Sequence, residues 1–135
     1  MERDTMSTVL IVEDDPINVR VFSKILTKVG GLEVIHTENV EEVMAIAQAG
    51  VVDVILMDVS LAHSTYQGKL VDGIKITQLL KANPMSTKLP IILVTAHAMP
   101  GDREKFLKAS GADEYITKPV VDQQQFVDKV FSFLP

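Results

Sequence analysis

At 135 residues with 47% apolar side chains, the chain has the length of one ordinary domain and enough apolar material for a core without staples. It has no cysteine, which excludes disulfides, Cys-ligated zinc and thiol catalysis together, and its net charge of −5 without a Lys/Arg cluster offers no surface for nucleic-acid phosphates. The polar start Met1–Met6 lacks the apolar core of a signal peptide, and no apolar stretch approaches the ~20 residues of a membrane helix, so a cytoplasmic protein with no membrane partner is expected.

Residues 1–7 read as a polar tail, after which short β-branched runs alternate five times with segments of helical period. The first strand is predicted over Thr8 to Glu13. Asp15-Pro16 then places a capping side chain before a proline at the first helical position, and Ile17, Val21, Ile25 and Val29 recur every four residues until Gly30-Gly31. A second strand over Glu33 to Thr37 leads to Asn39 and Glu42, which resemble a capping box ahead of Val43, Met44, Ile46 and Ala47. The third strand, Asp53 to Asp58, runs into a long polar passage over 60–71, and Asp72-Gly73 opens a helix carrying Ile74, Ile76, Leu79 and Leu80, closed by Asn83-Pro84.

The fourth strand spans Pro90 to Thr95, and Pro100 is expected to open a helix with Phe106, Leu107 and Ala109 inward. A fifth strand over Glu114 to Thr117 precedes a helix capped by Asp122, with Phe126, Val127, Val130 and Phe131 as its apolar face. Strands alternating with helices give an α/β class: one domain over 1–135, with a doubly wound five-stranded parallel sheet and five helices.

Right-handed crossovers put every strand's C-terminal end on one edge of such a sheet, where ligands bind. The residues reaching that edge are Glu13, Asp14 and Asp15, then Asp58, Thr95 and Lys118-Pro119; Thr37-Glu38 after the second strand adds little, and Asp15 before Pro16 reads as a cap. Glu13, Asp14 and Asp58 carry about −3 and Lys118 returns +1, a residue of about −2 that one divalent cation would balance and that would otherwise raise a carboxyl pKa. With oxygen donors and neither Cys nor His at the strand ends, the ion should be hard, Mg2+ or Mn2+. Such a centre suits phosphoryl transfer, which rests on positioning and charge neutralisation.

"VLIVEDDP", "VILMDV", "ILVTAHA" and "DEYITKP", in that order, resemble the receiver domain of two-component response regulators over nearly the whole chain. The resemblance implies a flavodoxin-like strand order 2-1-3-4-5 and a phosphorylation-controlled switch, not an enzyme with a turnover substrate, though one with metal-dependent self-phosphorylation and self-dephosphorylation chemistry. It implies that Asp58 accepts a phosphoryl group from a histidine kinase or a histidine phosphotransfer protein. Asp14, Asp58 and the backbone carbonyl of Ser60 would hold Mg2+ (or Mn2+), with Glu13 reaching it through water and Lys118, before a cis proline, pairing with the acceptor. Thr95 would move to bond the phosphoryl group, letting Tyr115 turn inward and altering the face offered to an unidentified protein target. His97 would line the mouth of the site and influence the lifetime of the phosphorylated form; His36 and His63 are given no role.

The chain departs from the family after Asp58: Leu61-Ala62 stands without the usual proline, and about seven extra residues precede Asp72-Gly73, an insertion of low closure cost. Either it is tolerated drift, or Ala62 to Leu70 forms an added turn that affects partner choice or phosphate lifetime. The expected protein is a stand-alone receiver, with a receiver from a hybrid histidine kinase as the alternative. A flavodoxin-like FMN-binding protein would want a Ser/Thr/Gly-rich loop where Glu13-Asp14-Asp15 stands, and an Asp-nucleophile phosphatase would want an acid/base aspartate where Ser60 stands. A pseudo-receiver that only binds partners would not need the full set of Glu13, Asp14, Asp58, Thr95 and Lys118.

Overall fold

Apolar residues at consecutive positions demand cover on both faces, and the computed structural model, which describes residues 7–61, 64–96 and 99–135, places those runs at the centre of a sheet. In chain order the elements are β1 (Thr8–Val12), α1 (Pro16–Lys28), β2 (Glu33–Thr37), α2 (Val40–Ala49), β3 (Val54–Asp58), β4 (Thr65–Tyr66), β5 (Lys69–Leu70), α3 (Gly73–Ala82), β6 (Ile91–Thr95), α4 (Asp102–Ser110), β7 (Glu114–Thr117) and α5 (Gln123–Phe131). Five strands pair in parallel in the order β2-β1-β3-β6-β7, which is 2-1-3-4-5 when this sheet is counted alone, so the expected topology is borne out. β3 and β6, central in the sheet, are buried at every position.

Alternation along each strand sends side chains to opposite faces. Leu10, Val12, Ile55, Met57, Ile91 and Leu93 meet α2 and α3 through Val43, Ala47, Ile76 and Leu80. Val9, Ile11, Val54, Leu56, Ile92 and Val94 meet α1 and α5 through Phe22, Leu26, Phe126 and Val130.

Helix starts follow the capping signals. Asp15 accepts from the Ile17 N–H, Asn39 from Glu42, Asp72 from Lys75 and Asp122 from Gln125. The fourth helix departs from expectation by beginning at Asp102. Pro100 and Gly101 instead hold the two central positions of a turn closed by the Asp102 N–H on the Met99 carbonyl at 3.0 Å, the residue pattern of a type II turn.

The α1 stripe is also corrected. Phe22, Ile25 and Leu26 are buried, while Ile17 is 71% exposed and Val21 and Val29 are exposed as well. A strict four-residue repeat overshoots a full turn by about 40° per step, so it drifts off the buried face, whereas 22, 25 and 26 stay together. Phe22 then stacks on Phe126, ring centroids 5.6 Å apart, joining α1 to α5. For the same reason of facing, Ala109 on α4 and Phe131 on α5, both expected inward, are exposed.

The passage expected as an extended loop over 60–71 contains a β-hairpin. Thr65 pairs with Leu70 and Tyr66 with Lys69 in a sheet of their own. Gln67 and Gly68 both have positive φ, 53° and 80°, as a two-residue type I′ turn requires. Tyr66 packs on the α2/α3 side of the core, and the Ser64 hydroxyl donates to the Glu38 carbonyl at 3.1 Å, tying the hairpin to the β2–α2 corner. Ala62 and His63 of this passage, and the tail over 1–6, lie outside the described residues. Among the described residues, no helix is long and apolar enough to cross a membrane.

Candidate functional site

The parallel registers deliver four strand ends to one edge. β1 runs beside β3 with Val12 opposite Met57, β3 beside β6 with Asp58 opposite Val94, and β6 beside β7 with Thr95 opposite Thr117. Glu13 and Asp14 therefore follow β1 at the level where Asp58 ends β3. Lys118 follows β7, its backbone N–H donating to the Thr95 carbonyl at 2.8 Å and its peptide bond to Pro119 being cis, as the resemblance implies.

Carboxylate oxygens of Glu13, Asp14 and Asp58 all lie within 4.8 Å of one another. Glu13 and Asp58 are only 2% and 4% exposed. The Lys118 ammonium stands 3.2 Å from Asp58 Oδ1 and 3.4 Å from Glu13 Oε1. The Asp15 N–H donates to Glu13 Oε2 at 3.2 Å, and the Ser60 N–H donates to Asp58 Oδ1 at 3.3 Å. Burial, followed by the neighbouring charge of Asp58, raises the Glu13 carboxyl from 4.5 to about 7, against the opposing pull of Lys118 and of the Asp15 N–H. The crowding expected to raise a carboxyl pKa is thus present, with burial as its larger cause.

These residues fit a hard divalent cation. Three carboxylates and one ammonium leave about two uncompensated negative charges, all the carboxylate donors are oxygens, and the spacing matches the few ångströms separating oxygens around one octahedral ion.

Of the other expected residues, Thr95 is fully buried at the end of β6. Ser60 is exposed at the rim. Tyr115 stands apart from the carboxylates, opposite Leu93 in the register, only 7% exposed and stacked on Phe106 with ring centroids 6.1 Å apart. Burial and the charge of Asp102 push its phenol pKa up. His97 lies outside the described residues.

Two residues at the site carried no functional signal in the sequence. Gly73, read there only as part of a helix start, sits where a Cβ would fall 2.0 Å from the Asp58 carbonyl oxygen. His36, given no role, has Nε2 2.7 Å from the Glu13 carbonyl oxygen. The hairpin walls a cleft of about 380 Å3 that runs from Asp14 past Glu38 and Asn39 to Ser64 and Thr65.

Residues 9–131 match the family model of the response regulator receiver domain. The chain belongs to that family. Among curated relatives of this receiver, the polar-differentiation response regulator DivK of Brucella anthropi is 34% identical over 127 residues, covering 94% of this chain and 95% of that protein. Among solved structures, the receiver domain of a sensor histidine kinase from Pseudomonas aeruginosa superposes with a TM-score of 0.78 at 28% identity, covering 96% of this receiver and 98% of that chain; it has a magnesium ion coordinated in the active site cleft. The signal receiver domain of a signal transduction histidine kinase from Syntrophus aciditrophicus gives a TM-score of 0.72 at 29% identity, covering 93% and 90%. The family and the fold that the resemblance implied are both borne out, and the receiver is a component of phosphoacceptor signalling.

Proposed function

We propose that Asp58 is the phosphoacceptor of this receiver and that Asp14, Asp58 and the Ser60 carbonyl hold Mg2+ (or Mn2+), with Glu13 reaching the ion through water. The observation carrying this reading is the convergence of three carboxylates within 4.8 Å on a lysine 3.2 Å from Asp58. When bound, the cation supplies charge neutralisation for the oxygens of the transferring phosphoryl group.

An Asp58 carboxylate oxygen forms the new P–O bond as the P–N bond of a phosphohistidine donor breaks, the electron pair of that bond staying on the imidazole nitrogen. Lys118 pairs with Asp58 before transfer and passes to a phosphoryl oxygen afterwards, so the positive charge follows the negative. Burial of Asp58 excludes bulk water from the acyl phosphate, and later attack of a water on phosphorus returns the carboxylate and inorganic phosphate. The Thr95 hydroxyl bonds the phosphoryl group and couples it to Tyr115. Tyr115 already lies inward against Phe106, so phosphorylation biases an existing equilibrium of the α4, β7 and α5 face.

The donor is a histidine kinase or a histidine phosphotransfer protein, and the target of the switched face is another protein. We read the chain as one domain over 1–135 acting in the cytoplasm as a response regulator of the DivK kind. The two kinase receivers of similar structure keep a place in a hybrid kinase as the alternative. His97 retains its proposed influence on phosphate lifetime. Incubation with a small phosphodonor and Mg2+, followed by intact mass, tests the central assignment. A single phosphate adduct is expected in the wild type and none in Asp58→Asn; no adduct in the wild type, or one undiminished in the variant, would overturn it.

A further inference from the structure

The two carboxylates directly follow the last residue of β1. The β1–β2 register runs to Val12 opposite Thr37, and the β1–β3 register to Val12 opposite Met57. Glu13 thus follows the last registered residue of β1 on both sides. The corner after β2 is committed elsewhere: the Asn39 N–H donates to the Thr37 hydroxyl at 3.0 Å, that hydroxyl donates to Glu42, and the Glu42 N–H returns to the Asn39 side chain at 2.9 Å. These bonds cap α2 and engage the Asn39 N–H with the Thr37 hydroxyl.

The His36 imidazole reaches the Glu13 backbone, with Nε2 2.7 Å from the carbonyl oxygen. A carbonyl oxygen only accepts, so Nε2 carries the proton. The Glu13 carbonyl and the Asp14 N–H belong to one rigid peptide plane, and holding its oxygen holds the Asp14 N–H and Cα as well. The Glu13 carboxylate is anchored separately, by the Asp15 N–H and Lys118. What the imidazole adds is the orientation of the peptide that aims Asp14 into the cluster.

We propose that His36 is a positioning residue for the acidic centre, acting through the Glu13 carbonyl to set Asp14 for the cation. This rests on the metal-holding role proposed above for Asp14.

Glutamine places its Nε2 the same number of bonds from Cβ as the histidine Nε2, whereas asparagine matches only Nδ1. Mg2+ affinity is measured by calorimetry and by the backbone amide NMR shifts of Asp14 and Asp15, well below the melting temperature of each variant. Loss of one hydrogen bond to a backbone acceptor predicts binding about 3- to 10-fold weaker in His36→Ala and His36→Asn, with His36→Gln within about 2-fold of wild type. Ring 15N–1H correlation in the wild type is expected to show the Nε2–H tautomer. Wild-type affinity in His36→Ala, equal weakening in all three variants, or an Nδ1–H tautomer would each overturn the inference. A wild type that binds no Mg2+ overturns the reading of the metal site itself, and with it this inference.

Discussion

The first residue of α3 touches the backbone of the last residue of β3: a Cβ added to Gly73 would stand 2.0 Å from the Asp58 carbonyl oxygen and 3.0 Å from the Val59 Cα. The contact is backbone on backbone, reinforced by the Gly73 N–H donating to the Val59 carbonyl at 3.1 Å and by the Thr77 hydroxyl closing on the Gly73 carbonyl at 2.7 Å. No side-chain rotation relieves a clash there. Gly73→Ala, ordinarily stabilising inside a helix, is expected to cost about 1 to 3 kcal/mol by overpacking. It should also slow phosphorylation at the proposed acceptor Asp58, because the displaced atom is that residue's own carbonyl. Urea denaturation and phosphorylation rates check the two effects together; a variant as stable and fast as wild type would remove the packing argument.

Protonation of Glu13 would compete with the proposed cation. Its carboxyl ordinarily titrates at 4.5 and is raised to about 7 in the folded chain, chiefly by burial. In the metal-free form the folded state therefore holds a proton that the unfolded state has lost between those values. The corresponding stability is complete below pH 4.5 and disappears as the pH rises through about 7. Metal binding runs the opposite way, since the ion needs the carboxylate. Mg2+ affinity should rise between pH 5.5 and pH 7.5 and then level, and Glu13→Gln should flatten the rise. Titrations at three pH values decide it.

Removing the lysine should separate metal binding from chemistry. The Lys118 ammonium lies 3.2 Å from Asp58 and 3.4 Å from Glu13, so it repels any cation placed between them. Lys118→Met at pH 8 is expected to bind Mg2+ a few-fold more tightly while accepting phosphate at least ~10-fold more slowly, for want of a charge to follow the phosphoryl group. Parallel loss of both would contradict the division of labour argued here.

The hairpin forms a sheet of its own beside the five-stranded one. Among the described residues β4 and β5 pair only with each other, so exchanging residues 64–70 for a short glycine-rich link should leave the five-stranded sheet folded. Phosphorylation by a small donor should be unchanged, and transfer from a protein donor or the dephosphorylation rate altered, because the hairpin walls the cleft beside Asp14. Within it, Gln67 holds a φ of 53° that asparagine adopts more readily. Gln67→Asn is expected to stabilise the fold by roughly 0.5 kcal/mol, readable as a small rise in Tm.

The legibility of this protein follows the range of the interactions involved. Asp15, Asn39, Asp72 and Asp122 were recognisable as helix caps because each bonds an N–H two or three residues away. Asp58 and Lys118 were recognisable because chain direction and crossover handedness bring strand ends to one edge whatever the loop details. The hairpin was not, since Gln67-Gly68 lacks the asparagine or aspartate that usually announces a type I′ turn. Nor was the buried side of α1, where two apolar stripes compete and packing against the sheet and Phe126 selects Phe22 over Val21.

By itself, then, the amino-acid sequence determined the order of the five sheet strands and five helices and the set of charged residues at the sheet edge, because periodicity, capping and connection rules act locally, and its four motifs carried the resemblance to the family. Tertiary structure alone decided that Glu13 is buried enough to titrate near 7, that Gly73 presses on the Asp58 carbonyl and that His36 reaches the Glu13 carbonyl. Each of these depends on the separation of atoms from different elements by a few ångströms, a distance fixed only when the helices have packed against the sheet.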